Sequence, residues 1–290
     1  MKSPWFVAPL SILLLFHAST LRAQTADADL TQLAQQLIYG NSQKLQEKTK
    51  VRGKGPYLVT DFETAPSDYD RLGVVLADDF EQALQETSPE FATLGRTKVG
   101  ELLEKERLGP KVLRCEEVAL WFAGLRGARS VIFGKISPID GGFEVRVRLV
   151  NPDGEELSQA TTLIEYSPER RALLRVPPPD TSSLLSPHYT PRLDGSGRTG
   201  LALPKCVYCP QPPYSGKARS AHFQGTILLE VLIGTDGGVH VISLGHPLPF
   251  GLTVITVDVV RRWKFARPSG PGTKAEGRVV TIKVSFRLSS

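Results

Sequence analysis

The chain has 290 residues, of which 41% are hydrophobic and 22% are charged, and its formal net charge is +5. A chain of this length can build roughly two domains with buried cores, and this composition excludes a disordered protein. The charge is uneven, because residues 205–290 carry 11 Lys and Arg against 4 Asp and Glu, whereas residues 1–204 have a net charge of −2.

The N-terminal segment predicts export from the cytoplasm. Residues 1–23 contain a lysine, an apolar run from Trp5 to Phe16 and a small residue at Ala23. This order is typical of a secretory signal peptide that is cleaved near Ala23. The alternative is an uncleaved membrane anchor, but the run contains Pro9 and is shorter than the ~20 apolar residues that a spanning helix needs. No later apolar run is long enough to span a bilayer.

A helical and polar lead-in is predicted for residues 24–54. Leu30, Leu33 and Leu37 recur at helical spacing and indicate a short amphipathic helix. The stretch 41–54 is polar and rich in lysine. This lead-in precedes the first domain.

The first domain is predicted between residues 55 and 175, with strands and helices mixed. The apolar patterns place strands at 57–63, 91–95, 129–137, 143–150 and about 158–166, and helices at about 70–86, 98–108 and 112–126. Strands and helices first alternate and strands then follow one another, which is typical of an α/β or α+β domain.

Four motifs of this first domain carry a family resemblance. They are DFE at 61–63, RLG at 71–73 with LADDFEQAL at 76–84, GARSVIFGKIS at 127–137 and FEVRVRLVNPDG at 143–154. Together they resemble the N-terminal α/β domain of TolB and related domains of the CsgG class of envelope proteins. In those families the domain makes protein contacts, so the resemblance implies an interaction domain here.

A proline-rich linker is predicted at residues 176–211. The stretch 176–213 contains nine prolines, three of them consecutive from Pro177 to Pro179. Proline-rich chains favour extended backbone at ~3 Å per residue, so we expect a semi-stiff tether between two domains.

The last domain, residues 212–290, is predicted to be a small α+β unit. Val280, Ile282 and Val284 alternate with polar residues, as in a strand with one buried face, and the glycines at 237–238 indicate a hairpin. The predicted order is a helix at 215–222, strands at 227–233 and 239–244, a helix with an apolar stripe of Leu252, Ile255, Val259 and Trp263, and a strand at 280–288. This gives a three-stranded antiparallel sheet with two helices.

Four motifs of this last domain occur in the order of a known family. They are PPYSGKAR at 212–219, FQG at 223–225, TDGGV at 235–239 and VVRRWKFARP at 259–268. The stretch resembles the C-terminal domain of TonB-family proteins, although Ser215 stands where that family usually has proline. The resemblance implies a periplasmic protein whose sheet edge binds a short segment of outer-membrane transporters as an added strand.

Cysteines 206 and 209 form a Cys-x-x-Cys pair that is open to three interpretations. It could be a redox pair, half of a zinc site or a local disulfide. Pro210 follows directly and disfavours the helix that a thioredoxin-type motif needs, so a disulfide in an oxidising compartment is the favoured prediction. Cys115, among apolar residues of a predicted helix, is interpreted as a buried small hydrophobe.

No catalytic constellation is found in the sequence. Histidines 188, 222, 240 and 246 have no ligand spacing, and the adjacent acids along the helices point in different directions. We therefore predict a protein that is not an enzyme and has no cofactor and no metal. Nucleic acid is not expected as a partner, whereas the basic C-terminal part suits an acidic peptide, a cell-wall polymer or an anionic surface, unless it is only a solvated face.

The leading hypothesis is a periplasmic TonB-family protein that contacts outer-membrane transporters or other envelope proteins. It would couple to inner-membrane motor proteins only if its N-terminus stays anchored, and a homodimer is a further option. A soluble periplasmic scaffold without energy transduction is the alternative, and a thiol-disulfide protein is a third hypothesis. The candidate contact residues are Tyr214, Arg219, Gln224, Gly225, Lys283 and Arg287.

Overall fold

The structure is a computed structural model that describes residues 28–39, 56–64, 71–89, 91–174, 205–267 and 277–288. The predicted signal segment, the lysine-rich stretch and most of the proline-rich linker lie outside these residues.

The described residues form an α+β fold, as predicted. The helices are α1 (28–39), α2 (Arg71–Thr87), α3 (Arg96–Lys105), α4 (Glu116–Leu125), α5 (Pro168–Leu173), α6 (Gly216–Ser220) and α7 (Leu252–Val260), with a 3-10 helix at Pro110–Arg114. The strands are β1 (Tyr57–Val59), β2 (Glu63–Thr64), β3 (Ser130–Ile139), β4 (Gly142–Val150), β5 (Glu156–Glu165), β6 (Cys206–Tyr208), β7 (Gly225–Ile233), β8 (Val239–Gly245), β9 (Lys264–Phe265) and β10 (Arg278–Phe286).

The first sheet has the strand order β1-β3-β4-β5, and β2 pairs with β3 beyond the end of β1. The predicted strand at 57–63 is interrupted between β1 and β2, where the Phe62 amide donates a hydrogen bond to the Gly73 carbonyl at 3.1 Å. The ring of Phe62 fills the space above Gly134. A Cβ on Gly134 would lie 2.1 Å from that ring. The predicted strand at 91–95 was wrong: only a single bridge between Thr93 and Tyr57 forms there.

Helices α1 and α2 cover one face of this sheet. Leu30, Leu33 and Leu37 are buried, as their spacing predicted. The hydroxyl of Ser158 on β5 donates a hydrogen bond to the carbonyl of Leu37 at 2.7 Å. A buried polar contact thus fixes the end of α1 against the sheet.

The second sheet is three-stranded and antiparallel, in the order β10-β7-β8. Its predicted alternation is confirmed: Ile282 and Val284 are buried, whereas Lys283 is exposed. The hairpin between β7 and β8 contains Gly237 at φ 76°, a left-handed conformation that favours glycine. This sheet is the centre of the C-terminal region.

The buried stripe of α7 differs from the predicted one. Its buried residues are Leu252, Thr253, Thr256, Val257 and Val260, so the prediction of Ile255 and Val259 as core positions was wrong. Threonines can be buried here because their hydroxyls are satisfied: Thr253 donates to the Leu248 carbonyl at 2.9 Å and Thr256 donates to the Leu252 carbonyl at 2.7 Å.

One hydrophobic core joins the two parts of the chain. Phe122 and Val118 of α4 belong to the same buried cluster as Leu229 of β7 and Val257 of α7. Helix α4 contacts α7, and the 3-10 helix contacts β8. The apolar face of the second sheet is therefore covered by α7 together with the first part of the chain, an arrangement that the tether hypothesis did not anticipate.

Candidate partner-binding edge of the C-terminal sheet

The outer edge of β8 is already occupied by other parts of the chain. The Gly109 amide donates to the Val241 carbonyl at 2.7 Å, and the Val241 amide donates to the Arg107 carbonyl at 2.9 Å. At the start of β8, Gly238 forms a bridge to Lys264. A partner strand therefore finds little free backbone on this side of the sheet.

The other edge strand, β10, is open. Its nine residues pair with β7 from Phe286 opposite Gly225 to Arg278 opposite Ile233. Within the described ranges no segment pairs with its outer side. A strand edge of this kind presents unpaired N–H and C=O groups that can bind an extended peptide.

Four of the six predicted contact residues meet at one end of this edge. Gly225 lies opposite Phe286, and the Tyr214 ring packs edge-on against Phe286 with centroids 5.3 Å apart. Gln224 and Arg287, both exposed, flank that pair in sequence. The structure thus brings the start of β7, the end of β10 and the Tyr214 segment together.

The remaining two predicted residues lie nearby in sequence but outside this group. Lys283 is exposed on β10 opposite Leu228, and Arg219 is exposed on α6. Gly225 has a structural reason of its own, because a Cβ there would lie 3.0 Å from Leu248 and Phe223. A larger residue at position 225 would therefore require one of these two side chains to shift.

Tyr214 is held by its ring rather than by its hydroxyl. Within the described residues its hydroxyl oxygen is buried and has no hydrogen-bond partner, which costs free energy relative to a satisfied group. The next residue, Ser215, is fixed as the N-cap of α6, because its hydroxyl accepts a hydrogen bond from the Ala218 amide at 3.0 Å. The aromatic contact and the cap together position the Tyr214 segment beside β10.

A charged cluster at the β7–β8 hairpin was not predicted. Arg107 and Lys264 lie 3.4 and 3.8 Å from the Asp236 carboxylate. Burial alone would raise the pKa of Asp236, but the Gly238 amide at 2.8 Å and the two cations outweigh it and hold this pKa below its ordinary value. These residues are far apart in sequence, so no local pattern could have shown the cluster.

His240 makes this cluster sensitive to pH. Burial lowers the pKa of His240, and Arg107 and Lys264 lower it further against the opposing effect of Asp236. Since the unfolded chain then binds the proton more tightly than the folded chain, the contribution of neutral His240 to stability is present above about pH 6.5 and is lost as the pH falls through the lowered value.

We expect the free energy of unfolding, measured by urea titration across this pH range, to fall on acidification, and His240→Gln to flatten the dependence. The matched control is His246→Asn, at an exposed turn position. If His240→Gln retained the full acid sensitivity, other groups would have to cause it.

Cys206 and Cys209 are joined by a disulfide, with a Sγ–Sγ distance of 2.00 Å. They lie at and just after β6, which pairs with β9, and not at the start of a helix. Cys115 differs from its prediction, because it precedes α4 as its N-cap instead of lying within it and is only half-buried. Burial raises the pKa of the Cys115 thiol, which disfavours the reactive thiolate.

Comparison with known proteins supports the C-terminal resemblance. Residues 210–288 match the family model described as Gram-negative bacterial TonB protein C-terminal, so the C-terminal region is TonB-like, as predicted. No curated protein matches the chain. The resemblance of the first domain to the TolB and CsgG types stays a prediction.

Several solved structures show a distant likeness. The LpoB C-terminal domain from Salmonella enterica has 16% identity and a TM-score of 0.36, covering 48% of this chain and 99% of that one. Its Escherichia coli counterpart has 14% identity and a TM-score of 0.38, covering 48% and 98%. Among the described residues, no helix combines the length and apolar character that crossing a bilayer requires.

Proposed function

We propose that this protein is a periplasmic TonB-family protein that binds an outer-membrane transporter or another envelope protein by strand addition at β10. The observation that carries the proposal is the open edge of β10 within a TonB-like region. The opposite edge of the sheet is occupied, so this edge is the favoured one for an incoming strand.

The surface around β10 favours an extended segment with acidic side chains. Lys283 and Arg287 are exposed along its outward face, and Arg219 is exposed on α6, which directly follows the Tyr214 segment. Such rim charges mainly set orientation and association rate, whereas the backbone hydrogen bonds of the added strand supply affinity. The protein acts by binding in this proposal, and no catalytic role is assigned to it.

Site-specific photocrosslinking in the native cells would test the proposal. We expect benzoylphenylalanine in place of Lys283 to crosslink to an integral outer-membrane protein, and Lys283→Glu combined with Arg287→Glu to weaken that protein's binding to the full chain. The control position is Lys98, whose side chain is 60% exposed on α3. Crosslinking of the same protein from position 98 but not from 283 would move the contact to the first part of the chain.

Coupling to inner-membrane energy depends on the N-terminus. We expect membrane fractionation and N-terminal sequencing of the cellular protein to separate the two hypotheses. Retention of residues 1–23 in the inner-membrane fraction would support a transducer of the TonB type. A soluble protein that begins near Gln24 would instead favour a periplasmic scaffold that assembles partners without transmitting energy.

A further inference from the structure

Strand β6 exposes two neighbouring apolar side chains. Val207 is 69% exposed, the highest value among the large hydrophobic residues that the structure describes, and Tyr208 beside it is 59% exposed. Both lie between the two cysteines of the disulfide. Core formation therefore does not explain why these positions are apolar.

The same strand is an edge. It pairs with β9 through Cys206 opposite Phe265 and Tyr208 opposite Lys264, and β9 is in turn bridged to Gly238 at the hairpin. In the parts of the chain that the structure describes, the outer side of β6 pairs with no strand. Its backbone groups are available to an additional strand.

This edge is held in place before any partner arrives. The disulfide closes the loop that contains Val207 and Tyr208. On one side the Lys205 carbonyl accepts a hydrogen bond from the Ala266 amide at 2.8 Å, and on the other the Trp263 indole donates to the Pro210 carbonyl at 2.9 Å. A strand fixed at both ends loses little conformational freedom on binding, which favours affinity.

The charges around β6 select the partner. Lys205 and Arg267 are exposed at one end of the β6–β9 pair, and Lys264 lies at the other, 3.8 Å from Asp236. Three cations against one carboxylate disfavour a second copy of this chain and favour acidic side chains. The tails of a lipid would leave the backbone groups of β6 unpaired, whereas the backbone of an extended peptide pairs with them in register.

We propose that β6 and its disulfide loop form a second docking edge, which binds an extended protein segment with alternating acidic and apolar side chains. This edge lies beyond β8, on the opposite side of the sheet from β10. The inference therefore does not depend on the function proposed for β10, and both edges can be occupied at once.

A labelled peptide of alternating glutamate and valine is a suitable probe, with its lysine-valine counterpart as the reference. In fluorescence anisotropy with the full oxidised chain, we expect the acidic peptide to bind about tenfold more tightly than the basic one. Reduction, Cys206→Ser with Cys209→Ser, or Val207→Ser with Tyr208→Ser should each weaken its binding about tenfold. Thermal unfolding of every variant checks that the fold persists.

Two variants make the test specific. Leu163→Ser removes an apolar side chain that is 61% exposed on β5, the edge strand of the first sheet, and should leave binding unchanged. Lys205→Glu combined with Arg267→Glu should reverse the preference towards the basic peptide.

Four results would overturn the inference. The first two are equal affinity of the chain for both peptides, and an affinity for the acidic peptide that reduction of the disulfide does not change. The third is loss of acidic-peptide binding in Lys283→Glu but not in the β6 variants. The fourth is binding of the chain to anionic phospholipid vesicles without any binding of the peptide. The third would assign the peptide to the β10 edge, and the fourth would make this surface a membrane contact. If position 283 gave no crosslink but the acidic peptide still bound through β6, the function proposed for β10 would be contradicted and the proposal for β6 would stand.

Discussion

Gly237→Ala is expected to lower the free energy of unfolding by about 3 kcal/mol. Gly237 has φ 76°, and a Cβ there would lie 2.1 Å from the carbonyl oxygen of Phe265. The backbone must therefore move, which breaks the hydrogen bond from the Phe265 amide to the Gly237 carbonyl, 2.8 Å in the native fold. Because that bond attaches β9 to the hairpin, β6 should detach with it.

Gly154→Ala is the matched control for this substitution. Gly154 is also a turn glycine, with φ 84°, but no atom lies within 4 Å of the position that a Cβ would take there. At this site alanine is disfavoured only by the left-handed backbone conformation, and we expect the free energy of unfolding to fall by about 1 kcal/mol. Urea denaturation followed by tryptophan fluorescence measures both. Equal losses would show that the contact with Phe265 contributes nothing beyond backbone conformation.

Much of the C-terminal region could be predicted from sequence because its signals are local. The alternation around Ile282 and Val284 and the turn at Gly237 each lie within a few residues, and the structure confirms them. The prediction of the buried stripe of α7 was wrong because Thr253 and Thr256 can be buried, since their hydroxyls donate hydrogen bonds to nearby carbonyls. A pattern that counts threonine as polar places the helix face one position away.

The candidate site was only partly predictable, because its boundaries are set by long-range contacts. Strands β6 and β9 have three and two residues, too few for a periodic signal. The pairing of Gly109 with Val241 joins segments with unrelated patterns, so the sequence could not show which edge of the sheet is occupied. The six candidate contact residues were chosen on the family resemblance and on the sheet edges that it implies, and their role in binding stays a prediction.

Glu106→Gln is also expected to destabilise the fold strongly, lowering the free energy of unfolding by about 2 kcal/mol. Glu106 pairs with Arg126, and its other oxygen lies 2.5 Å from Arg261 beyond the end of α7. The three side chains are only 17–18% exposed, so removing the carboxylate's charge leaves two cations close together with little water to screen them. Glu101→Gln is the control, since its pair with Lys98 is about 60% exposed on both sides and should be worth about 0.3 kcal/mol.

A double-mutant cycle of Glu106→Gln with Arg261→Met isolates the contact between the two parts of the chain. Arg261 also binds Asp258 at 2.6 Å, and the cycle subtracts that interaction. We expect a coupling energy of about 1 kcal/mol, with each variant still unfolding in one transition, because the core containing Phe122 and Leu229 is shared. Zero coupling would mean that this ion pair adds nothing to stability. Two separate transitions would mean that the TonB-like region unfolds independently of the first part. A single transition would instead show that the two parts unfold as one cooperative unit.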